Sequence, residues 1–129
     1  MSAWSKVADI TVNMYLHGMS AEEFDEKYFP IKDFPEENVS RGQMCQRKIF
    51  ESGEMFVDYL PHLKKIEKPS LLIVGKYDPV CCAKQRDYFK WFVVNGIFVE
   101  LENSGHFPRY EEPQAYTSAI EEFMNSLNS

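Results

Sequence analysis

The feature that most constrains the fold is a short apolar run, Leu-Leu-Ile-Val at residues 71–74, which stands between Ser70 and a glycine. A continuous apolar run of this length is typical of a strand that is buried on both faces of a parallel sheet. Residues 83–94 then show the apolar spacing of a helix, residues 97–101 form a second strand-like run, and residues 113–127 form a last amphipathic helix. This order of strand, helix, strand and helix predicts an α/β fold with two parallel strands. The glutamates at residues 111–112 are predicted to interact with the dipole of the last helix.

The first half of the chain is predicted to be helical. Apolar residues recur at spacings of three and four over residues 4–16, and Ser20, followed three residues later by a glutamate, has the arrangement of a helix N-cap. The run over residues 31–38, between Pro30 and Val39, is predicted to be a loop, with Ser40 as the N-cap of the next helix. Gly53 is predicted to close or interrupt that helix.

Size and composition favour one small globular unit. The chain has 129 residues, of which 44% are hydrophobic, and this is enough apolar surface for a core. Its 14 basic and 20 acidic residues give a net charge of −6 without a long basic cluster, so we expect no nucleic-acid partner. No apolar run approaches the roughly 20 residues that cross a bilayer, and the start of the chain does not resemble a signal peptide. We therefore expect no membrane partner and a cytoplasmic location.

The cysteines and the isolated histidines show no disulfide or metal-binding pattern. Cys45, Cys81 and Cys82 are odd in number and lack the paired spacing of a zinc site, so they are predicted to be free thiols. His17 and His62 have no partner at a suitable spacing and are predicted to be surface or cap residues. Neither a metal nor a cofactor is expected.

Two loops, residues 75–80 and 102–108, follow the two predicted strands. In open α/β sheets, functional residues gather beyond the carboxyl ends of the strands. Asp78 and His106 lie in these loops, 28 residues apart, which is enough chain for one crossover helix and a strand. A carboxylate beside an imidazole holds that base in one tautomer and stabilises it once it has taken a proton. Each residue alone is more often an ordinary turn residue, but their joint placement predicts the acid and the base of an active site.

The sequences around these two residues resemble those of the α/β-hydrolase superfamily. Residues 68–80, Lys-Pro-Ser-Leu-Leu-Ile-Val-Gly-Lys-Tyr-Asp-Pro-Val, are similar to the seventh strand and acid turn of that fold, and residues 102–113, Glu-Asn-Ser-Gly-His-Phe-Pro-Arg-Tyr-Glu-Glu-Pro, are similar to its histidine loop. The resemblance implies the carboxyl-terminal βαβα portion of a proline-iminopeptidase-like or carboxylesterase-like hydrolase, preceded by cap-like helices. It assigns residues 1–65 to the cap and residues 66–129 to the core. It also implies that Asp78 orients His106 as the general base.

The nucleophile of that family is missing from the sequence. Its G-x-S-x-G elbow does not occur in the 129 residues, and neither does its oxyanion loop. Ser104 lies too close to His106 in the sequence to replace the nucleophile and is predicted to be a turn residue. Cys81 and Cys82 are disfavoured as nucleophiles because their thiols are expected beside the acid rather than across from the histidine. We therefore expect a carboxyl-terminal fragment of a hydrolase, inactive alone.

Three functional interpretations follow from the resemblance. In the first, the fragment supplies the acid and the base for hydrolysis of a small-molecule ester or a peptide, in an assembly with the missing amino-terminal half or with further copies of itself. The open edge of a two-stranded sheet is the reason to expect association. The second interpretation is a non-catalytic binding or interaction protein on a hydrolase-derived scaffold. The third is a fragment of an epoxide-hydrolase-type or dehalogenase-type enzyme, in which an aspartate is the nucleophile.

Overall fold

A computed structural model of the protein describes residues 13–28 and 35–128. Its elements, in chain order, are helix α1 (Ala21–Tyr28), helix α2 (Glu36–Ser52), two 3₁₀ turns (Glu54–Phe56 and Leu60–Lys65), strand β1 (Ser70–Gly75), helix α3 (Ala83–Phe92), strand β2 (Gly96–Leu101), the short helix α4 (Pro108–Glu111) and helix α5 (Pro113–Ser126). These helices and parallel strands confirm the predicted α/β class. Within the described residues, no helix is long and apolar enough to cross a membrane.

Strands β1 and β2 pair in parallel, as predicted. Ser70 lies opposite Gly96, and Gly75 lies opposite Leu101, so the two strands are in register from end to end. The backbone N–H of Lys76 then donates to the Leu101 carbonyl oxygen at 2.8 Å, which extends the alignment past the end of β1. Because the carboxyl ends of the strands are level, the loops that leave them begin side by side at one edge of the sheet.

The prediction that β1 is buried on both faces is only partly correct. Val74 and Gly75 are buried, whereas the preceding residues of the strand are half-buried. In the described part of the chain, β1 pairs with β2 alone, so its other edge is open. A central strand of a parallel sheet has neighbours on both edges and helices on both faces, and β1 lacks part of this cover.

A small core forms where α3 packs against β2 and α5 packs against both strands. Val74 and Leu101, at the carboxyl ends of the strands, are 3% and 7% exposed. Phe89 and Val93, at the end of the α3 region, and Ala119 of α5 are also buried. Full burial of a large apolar side chain contributes about 1.5–3 kcal/mol. This core therefore includes the carboxyl ends of the strands, from which the functional loops leave.

Helix α1 begins at the predicted N-cap and is anchored on the loop after β2. Ser20 Oγ accepts the backbone N–H of Glu23 at 3.1 Å. Phe24 is 4% exposed, and its ring centroid lies 5.1 Å from that of Phe107 and 5.4 Å from that of Tyr110. Aromatic pairs of this kind contribute about 0.5–1.5 kcal/mol each beyond their buried area. Helix α1 thus packs directly on the loop that carries His106.

Helix α2 begins earlier than the sequence predicted. Its first residue is Glu36, so Ser40 lies inside the helix and is not its N-cap, and residues 36–38 are helical rather than part of a loop. Pro35 precedes the helix in an extended conformation, with φ −56° and ψ 135°, and acidic residues occupy the first turn, where they interact favourably with the helix dipole. Gly53 ends the helix as predicted, in the left-handed conformation at φ 75°.

One other helix ends earlier than predicted, and two predicted segments lie partly outside the described residues. Helix α3 ends at Phe92 rather than at Val94, because Val93 adopts an extended conformation and the chain turns at once into β2. The helix predicted over residues 4–16 lies outside the described residues except at residues 13–16, of which residues 13–15 are helical. The predicted loop lies outside the described residues over residues 31–34.

Candidate active site

The loops that follow β1 and β2 touch each other through glycine backbone. We call residues 75–81 the acid turn and residues 102–107 the histidine loop. A Cβ atom placed on Gly75 would lie 2.0 Å from the carbonyl oxygen of Gly105 and 2.3 Å from that of Ser104. Such an approach is open only to a residue without a side chain. Gly75 therefore allows the acid turn and the histidine loop to lie against each other.

Asp78 lies in the acid turn, and its side chain is only 6% exposed. Its Oδ1 atom accepts the backbone N–H of Val80 at 2.7 Å and the backbone N–H of Cys81 at 3.2 Å. An aspartate that bonds the backbone two and three residues ahead stabilises a turn of its own making. The carboxylate is therefore held in one orientation by the local sequence.

The guanidinium group of Arg86, on helix α3, also holds the acid turn, through the backbone carbonyl oxygens of the turn. Its Nε donates to the Cys81 carbonyl oxygen at 2.8 Å, and its Nη2 donates to the carbonyl oxygens of Gly75 and Asp78 at 3.1 and 3.3 Å. Its Nη1 forms an ion pair with Glu100 of β2 at 2.6 Å. Arginine presents several donors in a rigid fork, so this one side chain joins α3, β2 and the acid turn.

The structure brings the two predicted site residues together. His106 Nδ1 lies 3.0 Å from Asp78 Oδ1, and the His106 side chain is 35% exposed, much more than its partner. The rings of Tyr15 and Phe107 flank the imidazole, with centroids 5.4 and 5.1 Å away. When Nδ1 carries the proton that Asp78 accepts, the lone pair of the neutral imidazole is on Nε2. The pair therefore has the arrangement of an oriented general base.

Two neighbouring glutamates hold the histidine loop. Glu111 Oε2 accepts the backbone N–H of Gly105 at 2.9 Å and that of Phe107 at 3.2 Å. Glu112 Oε2 accepts the backbone N–H of Asn103 at 3.0 Å. The sequence predicted only an interaction with the dipole of the last helix and missed these bonds. Both carboxylates turn back toward the loop because its N–H groups have no strand or helix partner.

Ser104 is a buried structural residue. Its side chain is fully buried, at 0% exposure, and its hydroxyl donates to the carboxylate of Glu112. A nucleophilic serine needs an exposed hydroxyl on a strained strand-to-helix turn. Ser104 instead fixes the fold of the histidine loop.

An open cleft of about 440 Å³ lies beside the acid–base pair. Its lining includes Asp78 and His106 together with Leu72 and Ile73 of β1 and Tyr116 of α5. A mostly apolar wall with a few convergent polar groups is the usual composition of a small-molecule site. The cleft is therefore the place where a substrate could reach His106.

Cys81 also lines this cleft, but its thiol is poorly suited to be a nucleophile. Burial raises the pKa of the Cys81 thiol, and the negative charge of Asp78 raises it further, against a smaller opposing effect of Arg86. The thiolate is the reactive form, so a raised pKa leaves less of it at neutral pH. A cysteine nucleophile is disfavoured by the sequence, and the raised pKa of Cys81 points in the same direction.

The two other histidines are not part of the pair. The ring of His17 stacks on Tyr77, with centroids 3.5 Å apart, and the ring of His62 lies 6.1 Å from that of Tyr59. Among residues 13–28 and 35–128, no three histidine, cysteine or acidic side chains are grouped so that they could hold a metal ion. His17 instead packs on Tyr77, the residue that precedes Asp78.

Two curated proteins are similar to about half of this chain. One is a proline iminopeptidase of Heyndrickxia coagulans, 33% identical over 70 residues that make up 54% of this chain and 24% of the relative. The other is 3-oxoadipate enol-lactonase 2 of Acinetobacter baylyi, 34% identical over 71 residues that make up 55% of this chain and 26% of the relative. Both relatives are α/β-hydrolases. The matched part of this chain is α/β-hydrolase-like.

The similarity covers a limited part of each relative. The chain spans about a quarter of the length of the curated relatives that it matches. No protein-family model matches the chain, and no solved structure matches it significantly. The resemblance to α/β-hydrolases stated from the sequence motifs is thus confirmed for part of the chain, while activity and substrate are matters for a proposal.

Three residues that support the loops of Asp78 and His106 were not predicted from the sequence. Gly75 had a usable signal, because an isolated glycine at a strand end often marks a close backbone approach. Arg86 and Glu111 had no such signal in the sequence. Their roles include contacts that form only on folding: Arg86 forms an ion pair with Glu100 of β2, and the Glu111 carboxylate accepts the backbone N–H of His17, 94 positions away. Only the folded chain identifies such contacts.

Proposed function

We propose that this chain supplies the acid, Asp78, and the base, His106, of a serine-type hydrolase that cleaves ester or peptide bonds. The observation that carries the proposal is the 3.0 Å separation of Asp78 Oδ1 and His106 Nδ1 beyond the aligned ends of two parallel strands. The proposed nucleophile is the serine of a G-x-S-x-G elbow, a pattern absent from the 129 residues. It comes from polypeptide outside this sequence, and we expect the chain alone to be inactive.

In the complete site, His106 moves one proton in each half-reaction. Its Nε2 takes the proton of the attacking hydroxyl as that oxygen bonds to the substrate carbonyl carbon. Asp78 continues to accept the Nδ1 proton and stabilises the imidazolium without becoming protonated. The proton then passes from Nε2 to the leaving alkoxide or amine as its bond to the acyl group breaks. Water repeats the sequence and releases the acid.

The names of the relatives suggest the substrate classes. One relative is a proline iminopeptidase and the other an enol-lactonase, so a peptide with amino-terminal proline and a cyclic ester are the two classes to test first. Leu72 and Ile73 on the cleft wall favour a substrate with an apolar part. The assignment of residues 1–65 to a cap belongs to the same proposal, supported by the packing of Phe24 on Phe107. A cytoplasmic location is also part of the proposal.

The proposed partner is the amino-terminal half of such a hydrolase, with further copies of this chain as the second possibility. The open edge of β1 supports an association, because a strand edge presents N–H and C=O groups that another strand can pair with. The strand also carries half-buried apolar side chains that a neighbouring strand and its helices would cover.

The proposal is tested by complementation. The chain is co-expressed with the Heyndrickxia coagulans proline iminopeptidase truncated before its matched region, and in parallel with the equivalent part of the Acinetobacter baylyi enol-lactonase. Each assembly is assayed with a prolyl amide and an enol-lactone. We expect hydrolysis by at least one assembly, none by the chain alone, and a loss of about 10⁴-fold in turnover for Asp78→Asn and about 10⁶-fold for His106→Ala.

The matched control is His62→Ala, because His62 is an exposed histidine outside the pair. It should leave the turnover of the assembly unchanged. An active assembly that is indifferent to His106→Ala contradicts the proposal. A stable assembly that is inactive with both substrates favours the non-catalytic binding protein instead.

A further inference from the structure

We propose that Glu111 is a positioning residue that fixes the backbone on both sides of His106 and thereby directs the imidazole at Asp78. The inference rests on the proposed function, because it assigns a support to the same acid–base pair. Glu111 does not itself touch the imidazole–carboxylate contact. Its effect passes through the histidine loop.

One oxygen of Glu111 flanks His106 in the sequence. Oε2 accepts the backbone N–H of Gly105 at 2.9 Å and the backbone N–H of Phe107 at 3.2 Å. These are the residues immediately before and after His106. Hydrogen bonds to an ionised carboxylate are stronger than those between neutral groups. The backbone that sets the direction of the His106 side chain is therefore held at the N–H groups of the residues before and after it.

The other oxygen of Glu111 holds the segment that covers the loop. Oε1 accepts the backbone N–H of His17 at 2.5 Å and that of Gly18 at 3.3 Å. The carbonyl oxygen of Tyr15, in the same segment, accepts the backbone N–H of His106 at 2.6 Å. The three consecutive N–H groups of residues 105–107 are thus all bound, two by Glu111 and the central one by a segment that Glu111 also holds.

The arrangement needs a carboxylate. Each oxygen accepts two N–H groups, and a glutamine at the same position offers one oxygen and one NH₂ group that cannot accept. The variant Glu111→Gln can therefore keep the bonds to Gly105 and Phe107 or those to His17 and Gly18, and not both sets. Glu112 does not replace it, because the backbone bond to Glu112 comes from Asn103, on the β2 side of the loop.

The test uses the full chain and its proton NMR spectrum. A proton shared between His106 Nδ1 and the Asp78 carboxylate gives a far-downfield resonance, which Asp78→Asn should abolish. We expect Glu111→Gln to abolish or strongly broaden this resonance while the circular dichroism of the chain is retained. Glu121→Gln, which removes the same charge from an exposed site on α5, should leave the resonance unchanged.

Amide hydrogen exchange gives a second measurement that does not depend on the variant folding. In the unmodified chain, the N–H groups of Gly105 and Phe107 should exchange about tenfold to a hundredfold more slowly than free peptide groups, as one charge-assisted hydrogen bond predicts. Unprotected amides at these two residues overturn the positioning proposal, and so does a Glu111→Gln variant that folds and keeps the resonance. The absence of a far-downfield resonance from the unmodified chain overturns the acid–base pair itself. Failure of the Glu111 proposal and failure of the proposed function are therefore distinguishable.

Discussion

Gly75 and Gly105 approach so closely that a Cβ atom on Gly75 would lie 2.0 Å from the Gly105 carbonyl oxygen. Gly75 is the last residue of β1 and begins the acid turn, whereas Gly105 lies in the histidine loop, directly before His106. The distance between Asp78 and His106 therefore depends on a contact between two backbones. Side chains cannot adjust to relieve a clash at this place, because the obstructing atoms belong to the main chain.

The first prediction is that Gly75→Ala separates the two loops. The added methyl group meets backbone atoms, so we expect a loss of about 3 kcal/mol or more in the free energy of unfolding. Urea unfolding followed by circular dichroism measures it. The matched control is Gly42→Ala, because a Cβ atom at Gly42 of helix α2 meets nothing within 4 Å. This control should be stabilised by about 0.5–1 kcal/mol. Equal stability of Gly75→Ala and the unmodified chain contradicts the contact.

The second prediction concerns Arg86, whose side chain is 13% exposed. Arg86→Lys keeps the charge but loses the fork that reaches three carbonyl oxygens, so we expect a loss of about 1–3 kcal/mol in the free energy of unfolding. Arg41→Lys is the control, since Arg41 pairs with Glu37 on an exposed surface of α2 and the change should cost about 0.5 kcal/mol or less. If both variants unfold at the same urea concentration, Arg86 does not support the acid turn as described.

The third prediction is a slow reaction of Cys81 with iodoacetamide. Burial and the charge of Asp78 raise the pKa of this thiol, so at neutral pH it holds less thiolate than an ordinary cysteine, and its alkylation should keep rising into more alkaline solution. Asp78→Asn removes a charge that disfavours the thiolate, lowers the pKa of Cys81 and should speed its alkylation. Peptide mass spectrometry follows Cys81 against the exposed Cys45. Equal rates for the two thiols at pH 7 would refute the prediction.

The fourth prediction is that the chain associates through the open edge of β1. We expect light scattering over a range of concentrations to show a dimer or a larger assembly. Ile73→Lys places a charge at the middle of this strand and should shift the chain toward the monomer. Val94→Lys, at a position that is 87% exposed in the turn before β2, should leave the association unchanged. A monodisperse monomer of the unmodified chain argues strongly against the proposed interface.

The sequence by itself determined the elements that surround the site. The apolar run of β1, the spacing of α3 and the second run at β2 all follow from local preference and from the period of the apolar residues. Because functional residues gather beyond the carboxyl ends of parallel strands, the same pattern placed Asp78 and His106 on adjacent loops. The start of α2 was misjudged, since Ser40 and Pro35 with its following acids offer competing local signals for one helix start.

Tertiary structure alone decided how the loops are held. The bonds from Glu111 to the backbone of residues 17 and 18, the fork of Arg86 across α3, β2 and the acid turn, and the approach of Gly75 to Gly105 join positions that are separated along the chain. No local pattern encodes such contacts, because they arise only when the strands have paired and unpaired N–H groups must find acceptors. The sequence placed an acid and a base on neighbouring loops, and the tertiary contacts of those loops bring Asp78 Oδ1 and His106 Nδ1 to 3.0 Å.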